Sequence, residues 1–386
     1  MKPLSDHRIL IVDDARTNVD ILVAALRPDY KISVALSGEA ALKLVARTPP
    51  DLILLDIMMP GMDGYEVCRR LRADDATRDL PIVFLSALDE VKDKARGFEL
   101  GAQDYVTKPF DVLEVKVRVK ALIQAKAYRD ALEEAMAAEL RIATEIQLGM
   151  VPTEFSEACE GAPISIAAML EPAREVGGDL YHAFRVGKRK LCIVLGDVSG
   201  KGVPAALFMA MTTTLVKSTA RHIQSPGEIL RRVNEELGAE NAACMFVTLL
   251  VAMLDLDSGR LTWANGGHCS PALVLAEGAA GERVRLLEEP IDPLIGIEPE
   301  LEFEEATVTL EPGQTFLLYS DGVTEAFDPE RRLFEESGLI ASLERSAGQS
   351  PEALIQTLRS DIAAHAAGAP QSDDIALLAL RWEGSC

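Results

Sequence analysis

Four short stretches place an aspartate in a tight turn beside an apolar, strand-like run: GGDLYH from Gly177, GDVSGKGVPAAL from Gly196, YSDGVTEA from Tyr319 and SDDIALL from Ser372. Carboxylates on turns, with backbone oxygens close by, are the donors that hard divalent cations require. Four such turns converging make an all-oxygen cage, which suits Mn²⁺ or Mg²⁺ rather than zinc. A second constellation lies nearer the N-terminus, where Asp13, Asp14, Asp56, Ser86 and Lys108 each close a short apolar run. These are the groups that phosphoryl transfer to a carboxylate needs. Asp13, Asp14 and Asp56 can hold Mg²⁺, Asp56 is the nucleophile, and Lys108 and Ser86 bind the phosphoryl oxygens.

The elements that must position these groups alternate in type. RILIVDD, KISVAL, DLILLD, PIVFLSA and DYVTK read as strands, and continuous apolar runs of this length suit parallel strands buried on both faces. Helices fit Asn18 to Leu26, GEAALKLVAR, GYEVCRRLRA, a segment near Glu90 to Leu100, and a last helix from about Asp111. The expected fold is α/β, a doubly wound, five-stranded parallel sheet whose site lies beyond the carboxyl ends of its strands. From Asp111 to Met150 there is no proline, and no glycine before Gly149, so one long linker helix is expected. Leu122, Ala125, Tyr128, Leu132, Met136, Leu140, Ala143, Ile146 and Met150 step by three or four, near the heptad spacing. Glu139 and Gln147 lie close to this stripe and make the seam imperfect. The expectation is a coiled coil that forms a homodimer; the alternative is a helix packed on its own C-terminal domain.

Val151 and Pro152 end the helix. Strands then fit ISIAAML and residues 180–186, 190–196, 245–256, 260–266, 271–276, 301–309, 315–320 and 375–382; helices fit about 203–220, 226–239 and 351–366. Two sheets sandwiched between helices account for this pattern. AEGAAGE, Ala276 to Glu282, reads as a hairpin loop.

Composition bounds the function. A length of 386 residues implies two or three domains, and 48% hydrophobic with 26% charged residues describes a soluble globular protein. The net charge of -22 speaks against nucleic acid or an anionic membrane as partner, since the average field repels both, and leaves room only for a local basic patch. The start, MKPLSDHR, lacks a signal peptide's apolar stretch and no run is long enough to span a membrane, so a cytoplasmic location is expected. The cysteines, at 68, 159, 192, 244, 269 and 386, show no metal or disulfide spacing. Cys192 and Cys244 are expected as small buried hydrophobes.

Residues 5–123 resemble a two-component response-regulator receiver domain, through DD, LLDIMMPGMDG, FLSA and DYVTKPF. The resemblance implies a Met58 carbonyl ligand to the Mg²⁺, Ser86 and Tyr105 as switch residues, and a cis Lys108–Pro109 bond. It also implies phosphorylation of Asp56 by a cognate histidine kinase or phosphotransfer protein. Residues 150–383 resemble the metal-dependent serine/threonine phosphatases of the PPM class, in the SpoIIE-like, protein phosphatase 2C-like branch. GGDLYH, GDVSGKGVPAAL, ANGGHCSPAL, PGQTFLLYSDGVTEA and SDDIALL follow that family's order. This implies an α-β-β-α sandwich and two Mn²⁺ or Mg²⁺ ions. Asp179, bridging Asp197 and the Val198 carbonyl are implied as ligands, with Asp321 and Asp373 completing the second metal. Asp374 is the less expected of its pair. The implied substrate is a phosphorylated anti-sigma-factor antagonist protein in a partner-switching pathway. His182 stands where the family commonly has Asp, and Gly267 where Ala is usual. His268 is expected to structure its loop, and Arg174 either binds substrate phosphate or serves the surface. The resulting division is 1–123 receiver, 111–150 linker helix and 151–386 phosphatase domain. The runner-up is a catalytically weak protein that sequesters a signalling partner under receiver control.

Overall fold

A computed structural model describes residues 3–86, 97, 99–174, 176–239, 241–275 and 283–384. Most of the helix expected near Glu90 to Leu100, the loop Ala276 to Glu282, and Cys386 lie outside the described residues. The chain divides into two compact units, Met1–Ala138 and Glu139–Cys386.

In the first unit β1 (Arg8–Val12), β2 (Lys31–Ala35), β3 (Leu52–Asp56), β4 (Ile82–Ser86) and β5 (Asp104–Thr107) form a parallel sheet in the order β2-β1-β3-β4-β5. Every residue of β3 and β4 is buried, which is why these strands read as unbroken apolar runs. Leu10, Val12, Ile53, Leu55 and Phe84 pack on one face with Val45 of α2 (Gly38–Arg47) and Val67 and Leu71 of α3 (Gly64–Arg72). Ile9, Ile11, Leu54 and Val83 pack on the other with Leu22 and Leu26 of α1 (Arg16–Leu26) and with Val115, Val119 and Ile123 of α4 (Val112–Met150). Ser37 and Asp63 cap α2 and α3, accepting from Ala40 N at 3.3 Å and Glu66 N at 2.8 Å. The sheet grows outward in both directions from neighbours β1 and β3, so the residues that end them, Asp13 and Asp56, share one crevice.

Helix α4 is unbroken over its 39 residues, as the absence of proline predicts. Several members of its apolar stripe are exposed: Tyr128 by 65%, Leu132 by 61%, Met136 by 56% and Ile146 by 57%.

The second unit is built on two five-stranded sheets. The first has the order β13-β10-β9-β8-β7 and the second β12-β11-β14-β15-β6. Its site-bearing strands are β6 (Ile164–Glu171), β7 (Leu180–Val186), β8 (Lys190–Val198), β9 (Val247–Asp255), β14 (Thr315–Tyr319) and β15 (Ile375–Trp382); the others are β10 (Arg260–Gly266), β11 (Ala272–Val274), β12 (Val284–Leu286) and β13 (Ala306–Thr309). Alternate residues face opposite ways. Leu191, Ile193 and Leu195 of β8 meet Phe316, Leu318, Leu378 and Leu380 between the sheets. Cys192 and Val194 point outward onto α6 (Val203–Ala220) and α7 (Pro226–Ala239). Leu317, Tyr319 and Leu377 point outward onto α8 (Glu335–Ser346) and α9 (Pro351–Ala366). The one-turn helix α5 (Ser156–Cys159) precedes β6.

Two expectations are corrected. The strand expected over 301–309 contracts to Ala306–Thr309, because Glu305 turns its carboxylate to the start of α7, accepting from Gly227 N at 2.9 Å and Ser225 Oγ at 2.5 Å. Cys244 is exposed, not buried: it precedes β9 in a turn, with φ 51°.

Candidate metal-binding sites

In the first unit, Asp13, Asp14 and Asp56 bring carboxylate oxygens within 4.8 Å of one another. Asp13 is fully buried, held by Ala15 N at 2.9 Å and Asn18 Nδ2 at 3.1 and 3.0 Å; Asp14 is exposed. Lys108 Nζ reaches Asp13 Oδ2 at 2.8 Å and Asp56 Oδ2 at 2.7 Å. Burial pushes the Asp56 carboxyl up, and Lys108 partly offsets this. Burial opposes the Lys108 charge, but its two carboxylate partners outweigh it and raise its pKa. Met58 N donates to Asp56 Oδ1 at 3.3 Å, so the backbone of Met58 stands at this carboxylate. Ser86 is buried at the end of β4, and its carbonyl accepts from Lys108 N at 2.7 Å. Tyr105 is buried with its ring 5.5 Å from that of Phe84. The Lys108–Pro109 bond is cis. Asp13, Asp14, Asp56, Ser86 and Lys108 therefore lie at one end of the sheet, while Tyr105 pairs with Phe84 further back along β4.

In the second unit, strand register does the gathering. Leu180 pairs with Gly196, so one step further Asp179 faces Asp197. Asp321 follows β14 and Asp373 precedes β15, antiparallel neighbours in the other sheet. The two sheets meet at this end through Asp374, which accepts from Gly178 N at 2.7 Å and Ala173 N at 2.8 Å. Gly177 and Gly178 permit this approach. A Cβ on Gly177 would lie 2.0 Å from Asp374 Oδ2, and one on Gly178 would lie 2.6 Å from the Val198 carbonyl and 3.2 Å from Asp197 Oδ1. The Val198 carbonyl and the Asp197 carboxylate thus face the same glycine.

The electrostatics are those of anions crowded out of water. Asp179 is buried and its Oδ2 has no hydrogen-bond partner. Burial, then Asp197, drives its pKa well above the usual carboxylate range. Asp197 is pushed up to about 7 by burial, then by Asp321, with Asp373 and Asp374 adding to this. Asp321 is raised by burial, then by Glu325 and Asp373. Oxygen donors that repel one another, with one buried oxygen unpartnered, fit hard divalent cations. Lys201 supplies a positive charge at the rim, donating to Asp373 Oδ2 at 3.0 Å and Ser372 O at 2.7 Å.

Sequence reasoning missed Lys201 and Gln147. Gln147 of α4 is buried; its Nε2 donates to Gly177 O at 2.7 Å, and its Oε1 accepts from Gly177 N at 3.1 Å. Its signal was present as the polar residue beside the apolar stripe. His268 Nδ1 lies 2.8 Å from Thr248 Oγ1, its backbone is held on both sides by Asn265, and burial pulls its pKa down to about 4. Those contacts are a loop-structuring arrangement. His182 lies beside Lys217 at 3.1 Å, and Arg174 is exposed.

A doubly wound sheet with an acid pocket, followed by a helix-flanked double sheet with a carboxylate cluster at one end, defines a receiver joined to a PP2C-type phosphatase domain. The family model of Stage II sporulation protein E (SpoIIE) matches residues 187–383, and that of the response regulator receiver domain matches residues 9–120. The chain belongs to the SpoIIE family and carries a receiver domain at its N-terminus. It is 46% identical over 136 residues to response regulator PleD of Caulobacter vibrioides, a match covering 35% of this chain and 30% of PleD. The SiaA-PP2C domain of Pseudomonas aeruginosa superposes with a TM-score of 0.57 at 23% identity, over 65% of this chain and 98% of that one. The PP2C phosphatase domain of SpoIIE from Bacillus subtilis, with a fragment of its regulatory domain, gives 0.51 at 18% identity, over 58% and 65%. These two show the fold. Among the described residues no helix is long and apolar enough to cross a membrane.

Proposed function

We propose that this chain is a response regulator whose output is hydrolysis of phosphoserine or phosphothreonine in a protein, controlled by phosphorylation of Asp56. The observation that carries the reading is the convergence of Asp179, Asp197, Asp321 and Asp373 from two sheets on one end of the sandwich, with Asp179 Oδ2 buried and unpartnered. Two Mn²⁺ or Mg²⁺ ions held there would supply Lewis acidity and positive charge for an anionic ester. Asp179, Asp197 and the Val198 carbonyl would hold one, and Asp321 and Asp373 would complete the other, with Asp197 shared. Asp374, bound to Gly178 N and Ala173 N, orients the loop that carries Asp179. Lys201 sets a cation beside Asp373, where a phosphoryl oxygen can be met.

In the receiver, Asp56 takes the phosphoryl group from a cognate histidine kinase or phosphotransfer protein; Asp13, Asp14, Asp56 and the Met58 carbonyl would hold Mg²⁺ there, which would offset the phosphoryl charge. Lys108 and Ser86 bind the phosphoryl oxygens, and Ser86 with Tyr105 reports the change to the receiver surface. The exposed stripe on α4 supports a homodimer through that helix. Membership of the SpoIIE family supports a phosphorylated anti-sigma-factor antagonist as substrate.

The test is Mn²⁺-dependent phosphate release from a phosphoserine protein, with and without beryllofluoride as a mimic of phospho-Asp56, against an Asp321→Asn control. Release that requires Asp321 and responds to beryllofluoride supports the reading. Metal binding without release from any of several phosphoproteins would favour a sequestering protein instead.

A further inference from the structure

Beside the carboxylate cluster lies a pocket of about 220 Å³ that the hydrolytic reading leaves without a role. Its lining is largely apolar, with Met169, Phe327, Ile362, Ala366, Ala369 and Ile375 contributing. Its walls also include Gly322 and Ser372, the chain neighbours of Asp321 and Asp373, so it shares a wall with the turns that carry them. Gln371 fixes that shared wall, donating from Nε2 to Glu171 O and Asp373 O, both at 2.8 Å. The charges at the pocket answer one another: Arg359 pairs with Glu171 at 2.5 Å. An anion entering here would have to displace that glutamate, whereas an aliphatic group meets apolar walls. The volume is below the about 300–1,000 Å³ of small-molecule sites, and suits one or two aliphatic side chains.

Resting on the phosphatase reading, we infer that this is a specificity pocket. It takes an aliphatic side chain of the phosphoprotein substrate itself, a few residues from the phosphorylated serine or threonine. The argument is continuity. A polypeptide with its phosphoryl group at Asp321 and Asp373 lies beside the loops that form the pocket wall, and an extended chain advances about 3.3 Å per residue. An apolar recess rimmed by polar groups beside a protein-processing site is where such a chain gains apolar burial.

The experiment uses the full chain with Mn²⁺ and two kinds of probe. One is p-nitrophenyl phosphate, which has no flanking chain. The other is a set of phosphoserine peptide pairs that carry leucine or serine at each of about four positions on either side of the phosphoserine. Ala366→Phe fills the pocket from α9 and Ala369→Leu fills it from the following loop. The wild type is expected to prefer leucine at one position by at least about tenfold in kcat/KM. Both variants should reduce that preference to about twofold or less through KM, with p-nitrophenyl phosphate hydrolysis and the thermal midpoint unchanged. Hydrolysis of p-nitrophenyl phosphate by the wild type without a leucine preference at any position overturns the pocket alone, as does a preference that survives in both variants. Loss of p-nitrophenyl phosphate hydrolysis in both variants, with the thermal midpoint kept, makes the pocket part of the catalytic machinery and also overturns the inference. A wild type inactive on every probe overturns the phosphatase reading beneath it.

Discussion

Replacing Gln147 with leucine should loosen the metal centre without touching a ligand. The Gln147 amide satisfies both backbone groups of Gly177, at 2.7 and 3.1 Å, and all of these atoms are buried. Leucine keeps the bulk but leaves one N–H and one C=O without partners. Each buried unsatisfied group costs about 1–3 kcal/mol, so the loop that carries Asp179 bears about 2–6 kcal/mol in total. If only about 2 kcal/mol of this falls on the metal-competent arrangement, the half-saturating Mn²⁺ concentration rises about 30-fold. The assay is a Mn²⁺ titration of p-nitrophenyl phosphate hydrolysis by the full chain, run beside a thermal melt. Gln147→Glu keeps the acceptor for Gly177 N but turns a carboxylate toward Gly177 O, so it should not restore wild-type metal dependence. A Gln147→Leu protein with the wild-type Mn²⁺ midpoint and melting temperature would refute the reasoning, because two buried backbone groups would then have lost their partners at no cost.

Asp56→Asn should abolish the response to beryllofluoride while leaving basal Mn²⁺-dependent hydrolysis within about twofold, read from the same phosphate-release assay. In the metal-free chain, Asp179→Asn should raise the melting temperature, because it removes a buried charge from beside Asp197. The sign with pH follows from the raised carboxyls. A folded-state pKa raised above the unfolded value costs the folded state stability as pH rises past the unfolded value, so the gain should be near zero at about pH 4 and grow with pH until the folded-state carboxyl has ionised. A gain independent of pH would show that the repulsion is absent. Excess Mn²⁺ should stabilise the wild type and fail to stabilise Asp179→Asn, read as the shift in melting temperature. Leu132→Glu with Met136→Glu should convert a dimer to a monomer in sedimentation, since these side chains are 61% and 56% exposed in the single chain.

The receiver sheet was legible because burial on both faces leaves a continuous apolar run, as in LILLD and IVFLS. The central sandwich strands were legible for the same reason, with Leu191 to Leu195 contributing to the cores on both sides of their sheet. The short edge strand β12 was missed and β13 was drawn too long, since neither is buried throughout. Helix α8 was not. It opens with Glu335 at φ 57° and has Gly338 in its first turn, so no cap or clean start marks it. Its buried residues include Ser342 and Ser346 beside Leu339 and Leu343, which blurs the apolar period. The four aspartate turns were legible as oxygen donors, but the division of labour in SDD rests on long-range contacts. Asp374 is spent on backbone N–H groups about 200 positions away, with separations of 201 and 196 residues, and no local pattern encodes that. Gln147 was hidden similarly. A polar residue near a heptad seam reads as an imperfection until its partner, 30 residues on, is in place.

The four presumed ligands are divided between the two sheets, Asp179 and Asp197 on one and Asp321 and Asp373 on the other. Cations held by these four would act as a rivet through the sandwich. Their binding energy would add to the apolar layer that holds the sheets together. Metal affinity would then gauge sheet docking, coupling the packing between the layers to the chemistry at their shared edge.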